Sequence, residues 1–299
     1  MPKFVGFKFM LPWLCRAINE LPNEAPLPYL PFQRKLIGST VNNVEVIALV
    51  VGAIKQGVLR AAVLFVHGGG FLAGTAMASL RCAQHIAITH NCVAVVLDYS
   101  LAPEAKFPIA RDELCAAFDW VRENAEWLGI DVSRIALIGE SAGEGHAAML
   151  THYLKAGGKA TFICQVLGYP MIDDRTGSTR KVPDHVGRVG WSARLNCLGW
   201  ISLLGMPAAS TLVPVGAVSA LESDFSDFPT TFIGVGDIDL FYEEVVIYAR
   251  NLGDASARVE LIVVHGAFHG FDRAAPQASC SQAFIARRDA FLTKSFAGN

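Results

Sequence analysis

Between Phe32 and Val51 apolar and β-branched residues alternate with polar ones, a period of two that predicts a pair of strands turning at Asn42-Asn43. Beyond that hairpin the pattern changes. Short, almost continuously apolar runs at 62–66, 92–97, 135–138, 161–167, 230–235 and 259–264 alternate with stretches of helical period at 79–90, 110–125, 141–156, 242–252 and 279–294. A strand that is apolar throughout is covered on both faces, and regular strand–helix alternation is the mark of an α/β protein with a doubly wound, mostly parallel sheet. Two segments break the rhythm. Residues 1–32 combine an aromatic stretch with a proline-rich run from Pro22 to Pro31 that is unable to form a regular central strand. Residues 173–218 are rich in glycine, proline and charge, with helical period only at 195–204, and read as an insertion over the carboxyl ends of the strands, where open α/β sheets bind ligands.

With 299 residues, 52% of them hydrophobic, the chain has the material for one large domain, and disorder is not expected. Only 17% of residues are charged and the formal net charge is −2, so there is neither a basic footprint for nucleic acid nor a polybasic membrane patch. A small neutral or apolar partner fits this balance. Seven cysteines (Cys15, Cys82, Cys92, Cys115, Cys164, Cys197 and Cys280) stand singly, without metal-ligand spacing, and read as buried thiols of a reducing compartment. The apolar stretch 1–17 is interrupted by Lys8, Pro12 and Arg16 and lacks a clear cleavage site, and no apolar run reaches about 18 residues. The expectation is a cytoplasmic protein without a membrane span.

Chemistry concentrates at the ends of the predicted strands. Gly139-Glu140-Ser141-Ala142-Gly143 follows the apolar run 135–138 and opens a helix. A serine on so tight a turn has its hydroxyl pushed clear of the backbone, flanking glycines remove crowding, and the Ala142 amide points where an oxyanion forms. His67-Gly68-Gly69-Gly70-Phe71 follows the run 62–66, and the backbone amides of Gly68, Gly69 and Gly70 approach a ligand without side-chain interference. A phosphate-binding loop is disfavoured by the absence of a G-K-S/T ending or a G-x-G-x-x-G fingerprint. After the last strand comes His265-Gly266-Ala267-Phe268-His269-Gly270-Phe271, in which His269, deeper in the loop, is the better general base than His265. The loop after 230–235 offers Asp237 and Asp239 as the acid that orients it. The chain order Ser, Asp, His is the one that α/β-hydrolases use.

Four motifs in order, His67-Gly68-Gly69-Gly70, Asp98-Tyr99-Ser100-Leu101-Ala102-Pro103-Glu104, Gly139-Glu140-Ser141-Ala142-Gly143 and His269-Gly270-Phe271, make the chain resemble the hormone-sensitive-lipase-like family of α/β-hydrolases, mainly bacterial carboxylesterases. The resemblance implies a single α/β-hydrolase domain over 1–299, with a helical cap contributed by about 1–32 and about 173–218. It implies Ser141 as nucleophile, His269 as base and oxyanion donors among Gly68, Gly69, Gly70 and Ala142. It favours Asp239 as the acid, because Asp239 stands ten residues before Ala249 of Tyr248-Ala249. The expected activity is hydrolysis of short to medium acyl esters through an acyl-enzyme, with no metal or organic cofactor. An acyltransferase, amidase or lactonase with the same triad, or a non-catalytic binding member of the fold, is the alternative. Dimers through the last strand or helix fit the resemblance as well. Three residues depart from the family pattern. Ser100 replaces an arginine, a change expected to alter structural hydrogen bonds more than chemistry, and Glu140 replaces an aspartate. Glu144 stands where glycine is usual. In a first helical turn a carboxylate reads as a harmless surface residue favoured by the helix dipole, whereas in a close-packed site its charge opposes a developing oxyanion.

Overall fold

The computed structural model describes residues 25–39, 44–52, 57, 59–159 and 161–298. The expected Asn42-Asn43 turn and residues 1–24 of the expected cap segment lie outside the described residues. One eight-stranded sheet organises the chain. Its strands are β1 (Phe32–Ser39), β2 (Val44–Val51), β3 (Arg60–Val66), β4 (Val93–Asp98), β5 (Ile130–Gly139), β6 (Cys164–Gly168), β7 (Thr230–Gly236) and β8 (Val259–Val264), in the order β1-β2-β4-β3-β5-β6-β7-β8. β1 and β2 pair antiparallel, β2 pairs antiparallel with β4, and every later neighbour is parallel. This is the sheet topology that the resemblance to α/β-hydrolases implies.

The patterning explains the layers. β3 and β4 are buried along nearly their whole length because helices cover both faces of the sheet. These helices are α1 (Ala76–Thr89), α2 (Ile109–Glu123), α3 (Ala125–Leu128), α4 (Ala142–Ala156), α5 (Ala193–Leu204), α6 (Tyr242–Asp254), α7 (Phe271–Ala274) and α8 (Ser279–Phe296). α1 starts cleanly. Thr75 caps it by accepting from the Ala78 amide, and Asp98 at the end of β4 accepts from the amide of Ala76 at 2.8 Å. The expected run 161–167 pairs as a strand only from Cys164 to Gly168, although the Ile163 amide already donates to Ile135 O at 2.9 Å. The segment between β6 and β7 holds the one expected helix, α5, and a short 3-10 turn at Ser219–Leu221. Among the described residues no helix is long and apolar enough to cross a membrane.

Because the later strands run parallel, the loops after β3, β5, β7 and β8 all open at one edge of the sheet. Those four loops carry the glycine run, the serine turn, the two aspartates and the two histidines.

Candidate active site

The serine turn is built by close backbone approach. Ser141 sits between β5 and α4 at φ 54° and ψ −114°, a conformation that costs of order 1–3 kcal/mol for a residue with a side chain. The turn survives because its surroundings fix it. The Glu140 amide donates to Val66 O at 3.1 Å, and the Gly143 amide donates to Glu140 O at 2.8 Å. Gly143 lies so close to β3 that a Cβ there would fall 2.2 Å from Val66 O. Alanine at 143 would therefore displace either the turn or the strand.

From this turn the Ser141 hydroxyl reaches His269 Nε2 at 2.8 Å. On the other side of the ring, His269 Nδ1 lies 3.0 Å from Asp239 Oδ2 and 3.3 Å from Oδ1. A carboxylate only accepts, so Nδ1 carries the proton and Nε2 is left as the acceptor that faces the serine. Asp239 is fully buried and is held in turn by the Phe241 amide, which donates to Oδ1 at 2.9 Å. Three aromatic rings enclose the imidazole. Tyr169 and Phe241 meet it edge to face at centroid distances of 4.9 and 5.0 Å, and Trp191 lies tilted at 6.4 Å.

The other aspartate and histidine go elsewhere. Asp237 Oδ2 pairs with His265 Nδ1 at 2.5 Å, its Oδ1 accepts from the Gly266 amide at 2.7 Å, and the His265 side chain is 98% exposed. The structure thus joins Ser141, His269 and Asp239 in one chain of contacts and leaves Asp237 and His265 outside it.

The glycine loop stands beside the turn. A Cβ on Gly69, at φ +131°, would fall 1.9 Å from Ala73 O, so the loop closes only with glycine there. Among the described residues the amides of Gly68, Gly69, Gly70 and Ala142 make no hydrogen bond, an uncommon state for backbone donors at buried or half-buried positions. The loop rests on the second family-like motif: Tyr99 stacks on His67 at 4.2 Å, and its hydroxyl donates to His67 O at 2.9 Å. His67 donates from Nδ1 to Gly68 O, and burial holds its pKa down at about 4, so the ring is neutral and serves the loop's shape. His146, from α4, is likewise buried and held down at about 3. Ser100 gives both its amide (2.7 Å) and its hydroxyl (2.6 Å) to the Glu113 carboxyl.

Glu144 overturns the surface reading of its position. It is 1% exposed, packed between the strand-end glycines Gly139 and Gly168, and accepts from the Gly168 amide through Oε1. Burial, reinforced by the charges of Glu140 and Asp272, pushes its pKa well above the usual carboxyl range. The shift favours the uncharged acid, the form that does not oppose an oxyanion.

Sequence patterns also passed over several contacts around the site. Glu140 Oε2 accepts from Ser79 Oγ at 2.7 Å and from Arg273 Nη1 at 2.6 Å, and the Tyr169 hydroxyl donates to Asp272 Oδ1 at 2.7 Å. Trp191, from the segment 173–218, also closes on the site. Its six-membered ring lies against Gly70, where a Cβ would fall 2.1 Å from Cη2. Among the described residues no group of three or more His, Cys, Asp or Glu is arranged to hold a metal ion.

A family model described as alpha/beta hydrolase fold matches residues 63–273, from the strand before the glycine loop to just past His269. The chain belongs to that family. Within it, the hormone-sensitive-lipase-like members are its relatives. Ethyl acetate hydrolase of Pseudomonas putida is 29% identical over 214 residues, covering 71% of this chain and 66% of that protein. Carboxylesterase NlhH of Mycobacterium tuberculosis is 32% identical over 213 residues, covering 68% and 65%. The matched segment thus spans a little under two thirds of these relatives' length. Among solved structures, a bacterial heroin esterase superposes with a TM-score of 0.83 at 26% identity over 98% of this chain and 90% of that one. A hyperthermophilic esterase from the archaeon Pyrobaculum calidifontis gives 0.78 at 26% identity over 97% and 92%.

Proposed function

We propose that this α/β-hydrolase is a serine carboxylesterase that cleaves short to medium acyl esters, with Ser141 as nucleophile, His269 as general base and Asp239 as the acid that orients it. The observation that carries the reading is the unbroken chain Ser141 Oγ to His269 Nε2 to Asp239, with contacts of 2.8 and 3.0 Å. In this reading Nε2 takes the hydroxyl proton as Oγ attacks the ester carbonyl, the tetrahedral intermediate collapses, and His269 returns the proton to the leaving alcohol. Water then enters by the same route and releases the acid. The amides of Ala142 and of Gly68 to Gly70 stabilise the oxyanion in both halves, a contribution of about 3–4 kcal/mol for one such donor. Esterase relatives and the low charge of the chain support a small, uncharged ester as substrate.

The same reading makes residues 1–32 and 173–218 a cap on a single domain. Contacts of the second segment support this: Trp191 lies on Gly70, and a Cβ on Gly190 would fall 2.3 Å from His269 O. Trp191 and Phe241 then form apolar walls beside the base.

Hydrolysis of a p-nitrophenyl ester series from acetate to decanoate, by the protein and by Ser141→Ala, tests the proposal. The expected result is turnover that falls with long chains and is abolished by the substitution. Turnover that survives in Ser141→Ala removes the nucleophile.

A further inference from the structure

The base comes from the far side of the sheet. His269 follows β8, the edge strand, while Ser141 follows β5, three places away in the order β5-β6-β7-β8. At about 4.8 Å per strand the histidine loop must cross roughly 14 Å of sheet top to bring Nε2 to the serine. An edge strand gives that loop no neighbour on its outer side, and β8 itself is only half-buried. Proximity catalysis does not tolerate slack in such a span, since about 1 Å of displacement costs on the order of a hundredfold in rate.

Two side chains just after the histidine meet the strands it has to reach. Arg273 Nη1 donates to Glu140 Oε2 at 2.6 Å, and Glu140 is the residue directly before Ser141. Its neighbour Asp272 accepts at 2.7 Å from the hydroxyl of Tyr169, the residue directly after β6. Each tether is secured at its far end. Glu140 is buried and also accepts from Ser79 Oγ, while Tyr169 donates its amide to Gly234 O at 2.6 Å and packs its ring on His269. α7 is too short to hold a position by its own helical bonds, at four residues. Both tethers act through side chains that run from α7 back toward the ends of β5 and β6.

Resting on the Ser141–His269–Asp239 reading, we infer that Arg273 and Asp272 are positioning residues, which clamp the histidine loop to Glu140 and Tyr169 and so set the distance between His269 and Ser141. The clamp predicts a loss in kcat rather than in substrate binding, and a loss that is shared by both ends of each tether.

The test compares Arg273→Gln, Glu140→Gln, the double variant and Arg273→Lys with the intact chain on p-nitrophenyl butyrate, at a temperature where each is folded by circular dichroism. The expected result is a kcat lowered roughly ten- to a hundredfold in Arg273→Gln with KM within about twofold. The double variant should be no worse than the poorer single one, and Arg273→Lys should recover part of the rate. Tyr169→Phe, which removes only the hydroxyl, should lower kcat in the same sense. Unchanged kcat in Arg273→Gln and Tyr169→Phe, or losses that multiply in the Glu140/Arg273 double variant, overturn the clamp. Ser141→Ala, assayed alongside, separates the two claims: if it is inactive while the clamp variants are not impaired, only the clamp falls, and if it is active, the reading beneath it falls.

Discussion

Two histidine–aspartate pairs join the loops after β7 and β8. Asp239–His269 and Asp237–His265 are built from the same residue types, and in each a carboxyl oxygen faces Nδ1, at 3.0 and 2.5 Å. The shorter contact belongs to the pair that faces solvent. In the inner pair the histidine side chain is 10% exposed and the carboxyl 0%, whereas in the outer pair the values are 98% and 26%. The inner imidazole is walled by Tyr169, Phe241 and Trp191, presents Nε2 to a hydroxyl and has a fixed tautomer; the outer one presents Nε2 to water. Contact length alone therefore says little about chemical use. What separates the pairs is the buried setting, which fixes geometry and, in the proposed mechanism, shields from water the charge that develops on the ring.

The largest effect that sharpens this contrast is loss of the two histidines. His269→Ala should lower kcat for a p-nitrophenyl ester by roughly 10⁴–10⁶-fold, while His265→Ala, a surface change, should leave it within about twofold. Comparable losses from both would erase the distinction. Next come the carboxyls: Asp239→Asn should cost about 10³–10⁴-fold in kcat, because an amide lets the ring take the wrong tautomer, and Asp237→Asn should cost little. A selective loss in Asp237→Asn, read in the same steady-state assay, would move the acid to the outer pair.

A smaller effect concerns a third carboxyl and the same rule of burial. Glu144 has a folded-state pKa raised well above its unfolded value of 4.5. Between those two values the unfolded chain gives up the proton and the folded chain keeps it, so stability is greatest below the unfolded value and declines as pH rises, by at most about 1.4 kcal/mol per pH unit. Glutamine keeps the acceptor for the Gly168 amide and has no proton to lose. Glu144→Gln should therefore gain melting temperature relative to the intact chain, by more at pH 8 than at pH 5. A gap that does not change with pH would mean that Glu144 does not stay protonated on folding.

What was legible in the chain depended on what each residue type must do locally. The strand at 259–264 and the helix starting at 242 could be read because apolar runs and 3.6-residue period leave little choice of partner surface. The glycine loop and serine turn were visible as motifs, since a Cβ on Gly69 or Gly143 would collide with backbone. Asp237 and Asp239 were not separable by residue type. They lie two apart in one loop, and only the turn after β7 sends Asp239 inward and leaves Asp237 at the rim. Glu144 misled for a related reason: a first-turn carboxylate usually faces water, but here strand-end glycines on both sides open a buried slot for it. The pairing of Arg273 with Glu140 spans 133 residues and leaves no local pattern.

The central claim is that Ser141 alone is made nucleophilic, and by the inner pair. Its most direct measurement is covalent labelling with diethyl p-nitrophenyl phosphate, followed by intact-mass and peptide analysis of the protein and its His269→Ala and His265→Ala variants. The account predicts a single adduct, on Ser141, formed at the normal rate in His265→Ala and slowed by orders of magnitude in His269→Ala. An adduct on another residue, or labelling of Ser141 that depends on His265 instead, would contradict it.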